Sequence, residues 1–212
     1  DLCSRLTIPR FFAGDMLQHC TPGSLYREAW PSVFVGPAGS VSDLHVDSFA
    51  SNFWMLLLQG RKRWTFFKAS EAALLYPSWH SGGGSAASLD PVFDPDLFAT
   101  PVAEQGTSQV YPALAAVTVV WQCVLEAGEV LFVPSGCPHM VENLTDTLAL
   151  SSNYVDESNV DAAMRELGAQ ALCDPRAKDL AAQLVEQQVG VTTGAAVPVA
   201  DLPWEQFKRT QL

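Results

Sequence analysis

A histidine and an aspartate one residue apart, His45-Val46-Asp47, are answered about ninety residues later by His139, which follows Leu131-Phe132-Val133-Pro134-Ser135-Gly136-Cys137-Pro138. On an extended strand side chains alternate with a period of two, so His45 and Asp47 project to one face. Two imidazoles and one carboxylate make the facial set that holds a non-haem Fe(II) and leaves coordination positions open. His139 reaches the same ion only if the chain folds back and brings distant strands together. An isolated H-x-D is common by chance. Here the chain has only four histidines, and His139 follows an apolar run that places it on or beside a strand. His19 and His80 lack that context and are read as surface or loop residues.

The pattern of short apolar segments agrees with such a closure. Strands are predicted at 32–35, 43–46, 53–59 and 63–67, and again near 116–124, 129–133, 140–142 and 147–154. Gly36-Pro37-Ala38-Gly39 and Gln59-Gly60 supply turn chemistry between them. Many short strands with frequent Gly and Pro turns indicate a sandwich or barrel. A short helix is expected from Asp15 to Cys20, and another from Ser70 to Leu75. The segment 78–90, with Gly82-Gly83-Gly84, reads as a mobile surface loop.

Beyond Asp156 the period changes. Val160, Ala163, Met164, Leu167 and Ala171 recur at helical spacing over 159–172, and Asp174-Pro175 is a cap-plus-first-turn pair for a second helix to about 189. The stretch 190–200 reads as irregular, and Pro203-Trp204-Glu205-Gln206-Phe207 as a last turn docking an aromatic anchor. The amphipathic helices suit either packing on the barrel or a homodimer interface. Three segments result: 1–31 as an N-terminal flank, 32–156 as the β core, and 157–212 as a helical C-terminal part.

Composition narrows the classes. With 48% hydrophobic and 17% charged residues this is a globular chain, and no apolar run approaches the roughly 18–20 residues that span a bilayer. No basic-then-apolar leader opens it, and Asp1 reads as a trimmed start. A net charge of −11 argues against general nucleic-acid binding and suits a basic partner, such as a Lys/Arg-rich protein or peptide. The five cysteines are odd in number and scattered without a C-x-x-C pair, which fits a reducing compartment, nucleus or cytoplasm.

Lys62 lies in Gly60-Arg61-Lys62-Arg63-Trp64. Alternation sets it apart from both arginines, so either the three form a solvated basic turn or Lys62 points inward. A buried ammonium needs an anion, and a dicarboxylate such as 2-oxoglutarate supplies one.

With these segments in view, the chain resembles the JmjC-domain family of Fe(II)/2-oxoglutarate oxygenases, in its small hydroxylase-type branch, which includes the lysyl hydroxylases. The matching segments are residues 35–40 leading to His45-Val46-Asp47, then 58–64, 126–136 before His139, and 143–147. The resemblance implies a double-stranded β-helix, a cupin-like jelly roll with flanking helices. It implies His45, Asp47 and His139 as iron ligands, and Lys62 as the partner of the C5 carboxylate of 2-oxoglutarate. It places Ser42 near that carboxylate, and Asn143, Ser151 and Asn153 along the co-substrate or substrate side. Trp54 would pack by the co-substrate pocket, with core packing the alternative. Two positions depart from the pattern. Met55 stands where relatives carry a polar side chain. Cys137-Pro138 replaces the usual aromatic or histidine pair, which opens the metal's surroundings or repacks them. The implied activity is hydroxylation of a protein side chain, Lys or Arg, with 2-oxoglutarate and O₂ consumed and succinate and CO₂ released. Demethylation of an N-methyl group by the same centre, and a cupin-like binding module without turnover, are the alternatives.

Overall fold

The structure, a computed structural model, describes residues 10–12, 14–25, 27, 31–78, 90–99 and 110–192. His80, residues 79–89 of the mobile loop expected over 78–90, the start of the chain and the aromatic turn near Trp204 lie outside these residues.

Among the described residues ten strands carry the architecture: β1 (Ser32–Gly36), β2 (Val41–His45), β3 (Asn52–Gln59), β4 (Arg61–Phe67), β5 (Pro77–Ser78), β6 (Val92–Phe93), β7 (Val120–Glu126), β8 (Val130–Val133), β9 (His139–Asn143) and β10 (Thr147–Tyr154). Eight of them form two four-stranded sheets, ordered β1-β10-β3-β8 and β2-β9-β4-β7, with β5 and β6 as a separate ribbon. Every pairing is antiparallel. The chain alternates between the two large sheets, apart from β4 and β7, which are neighbours in one sheet. That winding is the double-stranded β-helix, the expected cupin-like jelly roll.

Alternation explains the packing. Phe53, Met55 and Leu57 of β3 face the interior with Trp64, Leu125, Val133, Val141 and Ala149. Trp54, one residue out of phase, faces the opposite way and stacks on Phe12 at 5.8 Å and 8°, with Phe132 and Tyr154 also against that ring. β3 is therefore covered on both faces, which is why it reads as an unbroken apolar run. Gly60 turns β3 into β4 with φ of 89°, and a Cβ there would lie 2.2 Å from the Asp146 carbonyl oxygen, so only glycine fits. A second core, built on Leu44, Phe67, Leu75, Phe93, Leu114 and Met140, covers the outer face of the β2-β9-β4-β7 sheet.

Two C-terminal helices follow, α1 (Val160–Gln170) and α2 (Pro175–Thr192). α2 continues past the expected end near 189. Val160, Ala163, Leu167, Ala177, Leu180 and Leu184 pack on Leu17, Cys20, Phe49 and Val155. The apolar stripe expected over 159–172 is thus filled within the chain. Among the described residues no helix is long and apolar enough to cross a membrane. The strand expected near 116–124 starts later: Pro112–Ala116 forms a 3-10 turn and β7 begins only at Val120.

The N-terminal flank docks through Asp15. Its Oδ1 accepts the N–H of Leu17 at 3.0 Å and of Val155 at 3.2 Å, while Oδ2 has no partner and the residue is buried. Burial pushes this carboxyl from 3.8 up to about 7. The folded state then holds a proton that the unfolded chain has lost, so stability falls as pH rises through that window and levels off above it. Asp15→Asn keeps the Oδ1 acceptor and removes the ionisation. Urea midpoints from pH 4 to 8 should show the variant gaining on the parent up to about pH 7 and then running parallel; a constant offset throughout would contradict the assignment.

Candidate metal centre

The register of one sheet assembles the centre. His45, the last residue of β2, pairs with His139, the first of β9, and His139 pairs in turn with Phe66 of β4. Between Ser42 and His45 the β2–β9 register shifts by one residue, a bulge that leaves Ser42 opposite Val141 and His45 opposite His139. Asp47 lies just past the strand, at the entrance to the turn Ser48–Ala50, with an extended backbone (φ −69°, ψ 145°). One ligand atom from each of His45, Asp47 and His139 lies within 4.8 Å of the other two. The imidazole centroids are 4.2 Å apart.

Backbone carbonyls orient both rings. His45 Nδ1 is 2.6 Å from the Asp43 carbonyl oxygen, and His139 Nδ1 is 2.9 Å from that of Cys137. A carbonyl oxygen can only accept, so each Nδ1 carries the hydrogen and each Nε2 lone pair is free for a metal. Burial pushes His139 down to about 4, reinforced by His45, which keeps its imidazole neutral at pH 7 as a ligand requires. Burial also pushes the Asp47 carboxyl upward, opposed by His45 and by a hydrogen bond from Asn153. A cation between these groups removes the cost of burying that carboxylate. The donor set fits a divalent transition metal such as Fe(II).

Lys62 defines the other end of the same inner face. Arg61 and Arg63 point outward and ion-pair with Glu126 at 2.9 Å and Glu142 at 2.8 Å, while Lys62 is 6% exposed. Alternation therefore resolves the basic triplet in favour of an inward lysine. Its Nζ donates to Asn143 Oδ1 at 2.6 Å; Asn143 Nδ2 donates to Ser40 Oγ at 2.7 Å, and Ser40 donates to the Pro37 carbonyl. Among the described residues no carboxylate pairs with this ammonium, and burial pushes its pKa down. Phe66 and Lys62 lie four residues apart on β4, roughly 13 Å along the strand. Trp64 and Ser42 occupy the row between, opposite Val141. Facing them from the other sheet is Ser151, in register with Met55. Ser151 Oγ and Trp64 Nε1 are buried with no hydrogen-bond partner. An interior with a metal cluster at one end, an ammonium without a carboxylate at the other and orphaned polar atoms between fits a dicarboxylate that chelates a metal.

The structure thus brings His45, Asp47, His139, Lys62, Asn143 and Ser151 to one interior, while Ser42, in the same row as Trp64, is exposed on the edge strand β2. Asn153 is also there, but it bonds Asp47 and Ser51 Oγ (2.9 Å), which makes it a support for Asp47. Trp54 is a correction: it is buried on the opposite face of β3 under Phe12, because Phe53 and Met55 on either side of it take the interior. Cys137 repacks the neighbourhood, its Sγ 3.3 Å from the Phe67 carbonyl oxygen and its thiol pushed up by burial. His19 is half-buried in the 3-10 turn Met16–His19. Gly36 was legible only as a turn residue, yet a Cβ there would lie 2.3 Å from Asn143 Nδ2, so glycine makes room for the lysine's partner. The carbonyls of Asp43 and Cys137 carry no side-chain signal in the sequence.

Comparison with known proteins agrees with this geometry. Residues 9–160 match the cupin-like domain family. The chain is 32% identical over 167 residues to the human 2-oxoglutarate and iron-dependent oxygenase JMJD4, covering 79% of this chain and 36% of that protein. It is 30% identical over 155 residues to the Caenorhabditis elegans bifunctional arginine demethylase and lysyl-hydroxylase psr-1 (73% and 36%), and 27% identical over 189 residues to the Arabidopsis thaliana arginine-specific demethylase JMJ22 (88% and 34%). The chain spans about a third of the length of these curated relatives.

The two ends of the interior should be separable. Lys62→Met is expected to weaken 2-oxoglutarate binding by about 100-fold, the scale for removing one partner of a buried charge pair, with Mn(II) affinity unchanged. Asp47→Ala should abolish Mn(II) binding. Calorimetric titration of each ligand checks both, and equal loss of both ligands in Lys62→Met would contradict the division.

Proposed function

This chain belongs to the cupin-like domain family, in its JmjC branch, and we propose that it is an Fe(II)- and 2-oxoglutarate-dependent oxygenase that hydroxylates a Lys or Arg side chain of a protein. The observation that carries the reading is the shared inner face: two histidines in one row, and a buried lysine without a carboxylate two rows further on. His45, Asp47 and His139 would hold Fe(II), their Nε2 atoms and carboxylate presented by the bonds described above. Lys62 would take the far carboxylate of 2-oxoglutarate, steadied by Asn143, with Trp64 and Ser151 offering polar hydrogens along the way. Bound there, iron with 2-oxoglutarate and O₂ supplies the oxidising power that converts a substrate C–H to C–OH while the co-substrate becomes succinate and CO₂. Trp64 and Phe66, packed on His139, with Phe53 against Trp64, exclude water from the metal side.

The net charge of −11 supports a basic protein or peptide as substrate. Five cysteines, odd in number and scattered without a C-x-x-C pair, support a nuclear or cytoplasmic setting. A second reading, demethylation of N-methyl arginine or lysine, has support from the names of two relatives, and the same iron centre serves it. Cys137 and Met55, the departures that favour a non-catalytic module, leave all three ligands and Lys62 in place.

Turnover of 2-oxoglutarate with Fe(II), ascorbate and pools of Lys/Arg-rich peptides, followed by product mass, tests the proposal. Gain of one oxygen atom on a peptide is the expected result. Loss of a methylene with release of formaldehyde would favour the demethylase. No succinate under any condition, even uncoupled, would favour the binding module.

A further inference from the structure

Asp47 leads directly into a turn that is strained. Phe49 and Ala50, neither a glycine, have φ of 40° and 50°. Side chains with a Cβ occupy that left-handed region at a cost, and such a pair persists only where the surroundings over-determine it. Those surroundings come largely from the helical C-terminal part. The Phe49 ring is 2% exposed and sits in the core formed by α1 and α2. The Ala50 N–H faces the Glu166 carboxylate of α1. The Ala50 carbonyl accepts from Asn159 Nδ2 at 2.9 Å.

Asn159 stands at the N-cap of α1, where an asparagine ordinarily accepts from the helix's own free N–H groups. It makes no such bond. Its buried side chain turns toward the barrel instead. Nδ2 reaches Ala50 and, at 3.4 Å, the Tyr154 carbonyl, while Oδ1 accepts the Asp156 N–H at 2.9 Å. One amide thus ties the turn after Asp47 to the end of β10. The capping bond it forgoes ordinarily stabilises a helix, so its position is set by something other than α1.

We propose that Asn159 is a positioning residue for the metal: by clamping Ala50 it holds the strained turn in the shape that aims the Asp47 carboxylate at the site shared with His45 and His139. This rests on the reading of Asp47 as a ligand. Asn159 touches neither metal nor substrate and acts only through the backbone of residues 47–50.

Co(II) titration of the full chain, followed by the metal's visible absorption, tests it without any turnover. Asn159→Ala is expected to weaken Co(II) binding by about 10- to 100-fold, the usual loss on removing an outer partner of a metal ligand, with circular dichroism unchanged. Adding Ala50→Gly should restore most of that affinity, since glycine adopts the left-handed region without strain and needs no clamp. A role confined to stabilising α1 would not be rescued in this way. If Asn159→Ala does not fold, Asn159→Asp retains the acceptor for Asp156 and sets an oxygen against the Ala50 carbonyl, and the same loss is expected of it. Co(II) affinity within about twofold of the parent in a folded variant, or a loss that Ala50→Gly leaves untouched, overturns the proposal. Asp47→Ala is the control for the underlying reading: if it binds Co(II) like the parent, the ligand assignment fails instead.

Discussion

The pairing of His45 with His139 across β2 and β9 is the contact on which the rest of the centre depends. Side chains alternate along a strand, so a slip of one residue would carry an imidazole to the outer face and destroy the cluster. The bulge between Ser42 and His45 is what reconciles two demands on β2. Ser42 must share a row with Val141, and His45 must share one with His139, although Ser42 and His45 are three residues apart and Val141 and His139 two. The same β9–β4 ladder that sets His139 beside Phe66 sets Asn143 beside Lys62. Metal end and lysine end are therefore fixed by one register, and their separation cannot change without unzipping the sheet.

That interior is poor as a core and good as a binding site. A buried ammonium bonded to one neutral amide, with a hydroxyl and an indole N–H lacking partners, is a half-satisfied polar network. Such a network costs stability relative to an apolar filling. The surrounding cores compensate: Trp64 and Phe53 inside, the Phe12–Trp54 stack outside, and the helices at the end. An anion reaching Lys62 satisfies groups that the protein leaves unsatisfied by itself, so its binding stabilises the fold to a degree set by its concentration relative to Kd.

The sequence carried the parts of this design that depend on side-chain type and period. H-x-D, the distant histidine, the basic triplet and the two helical stripes were each legible because alternation or a 3.6-residue repeat makes the pattern visible. It did not carry what depends on which face of a doubly buried strand looks inward. Asn52-Phe53-Trp54-Met55-Leu56-Leu57 is apolar at nearly every position, so its phase is hidden, and of the two readings of Trp54, pocket side or core packing, the structure takes packing under Phe12. Nor did it carry contacts made by the main chain. The carbonyls of Asp43 and Cys137 orient the imidazoles whatever side chains those residues bear. Gly36 looked like turn punctuation, and only its approach to Asn143 gives it a part in the site.

The H-x-D spacing also concealed where the two ligands differ. His45 is held in the ladder of β2 with β9, whereas Asp47 has left the strand and belongs to a turn with two consecutive left-handed residues. A sheet fixes its members through paired hydrogen bonds, but a turn of that kind has none to spare and relies on whatever packs against it. In this chain that is α1, together with Asn153 from β10 and Asp90, which bonds Ser48. The facial set is consequently built from two mechanical systems, two imidazoles on the barrel and one carboxylate on a junction between barrel and helices. A metal bound across them ties the helical segment to the sheet. The β core over 32–156 is then not the whole of the surroundings of Asp47, since the turn that follows it packs against Asn159 and the helices beyond.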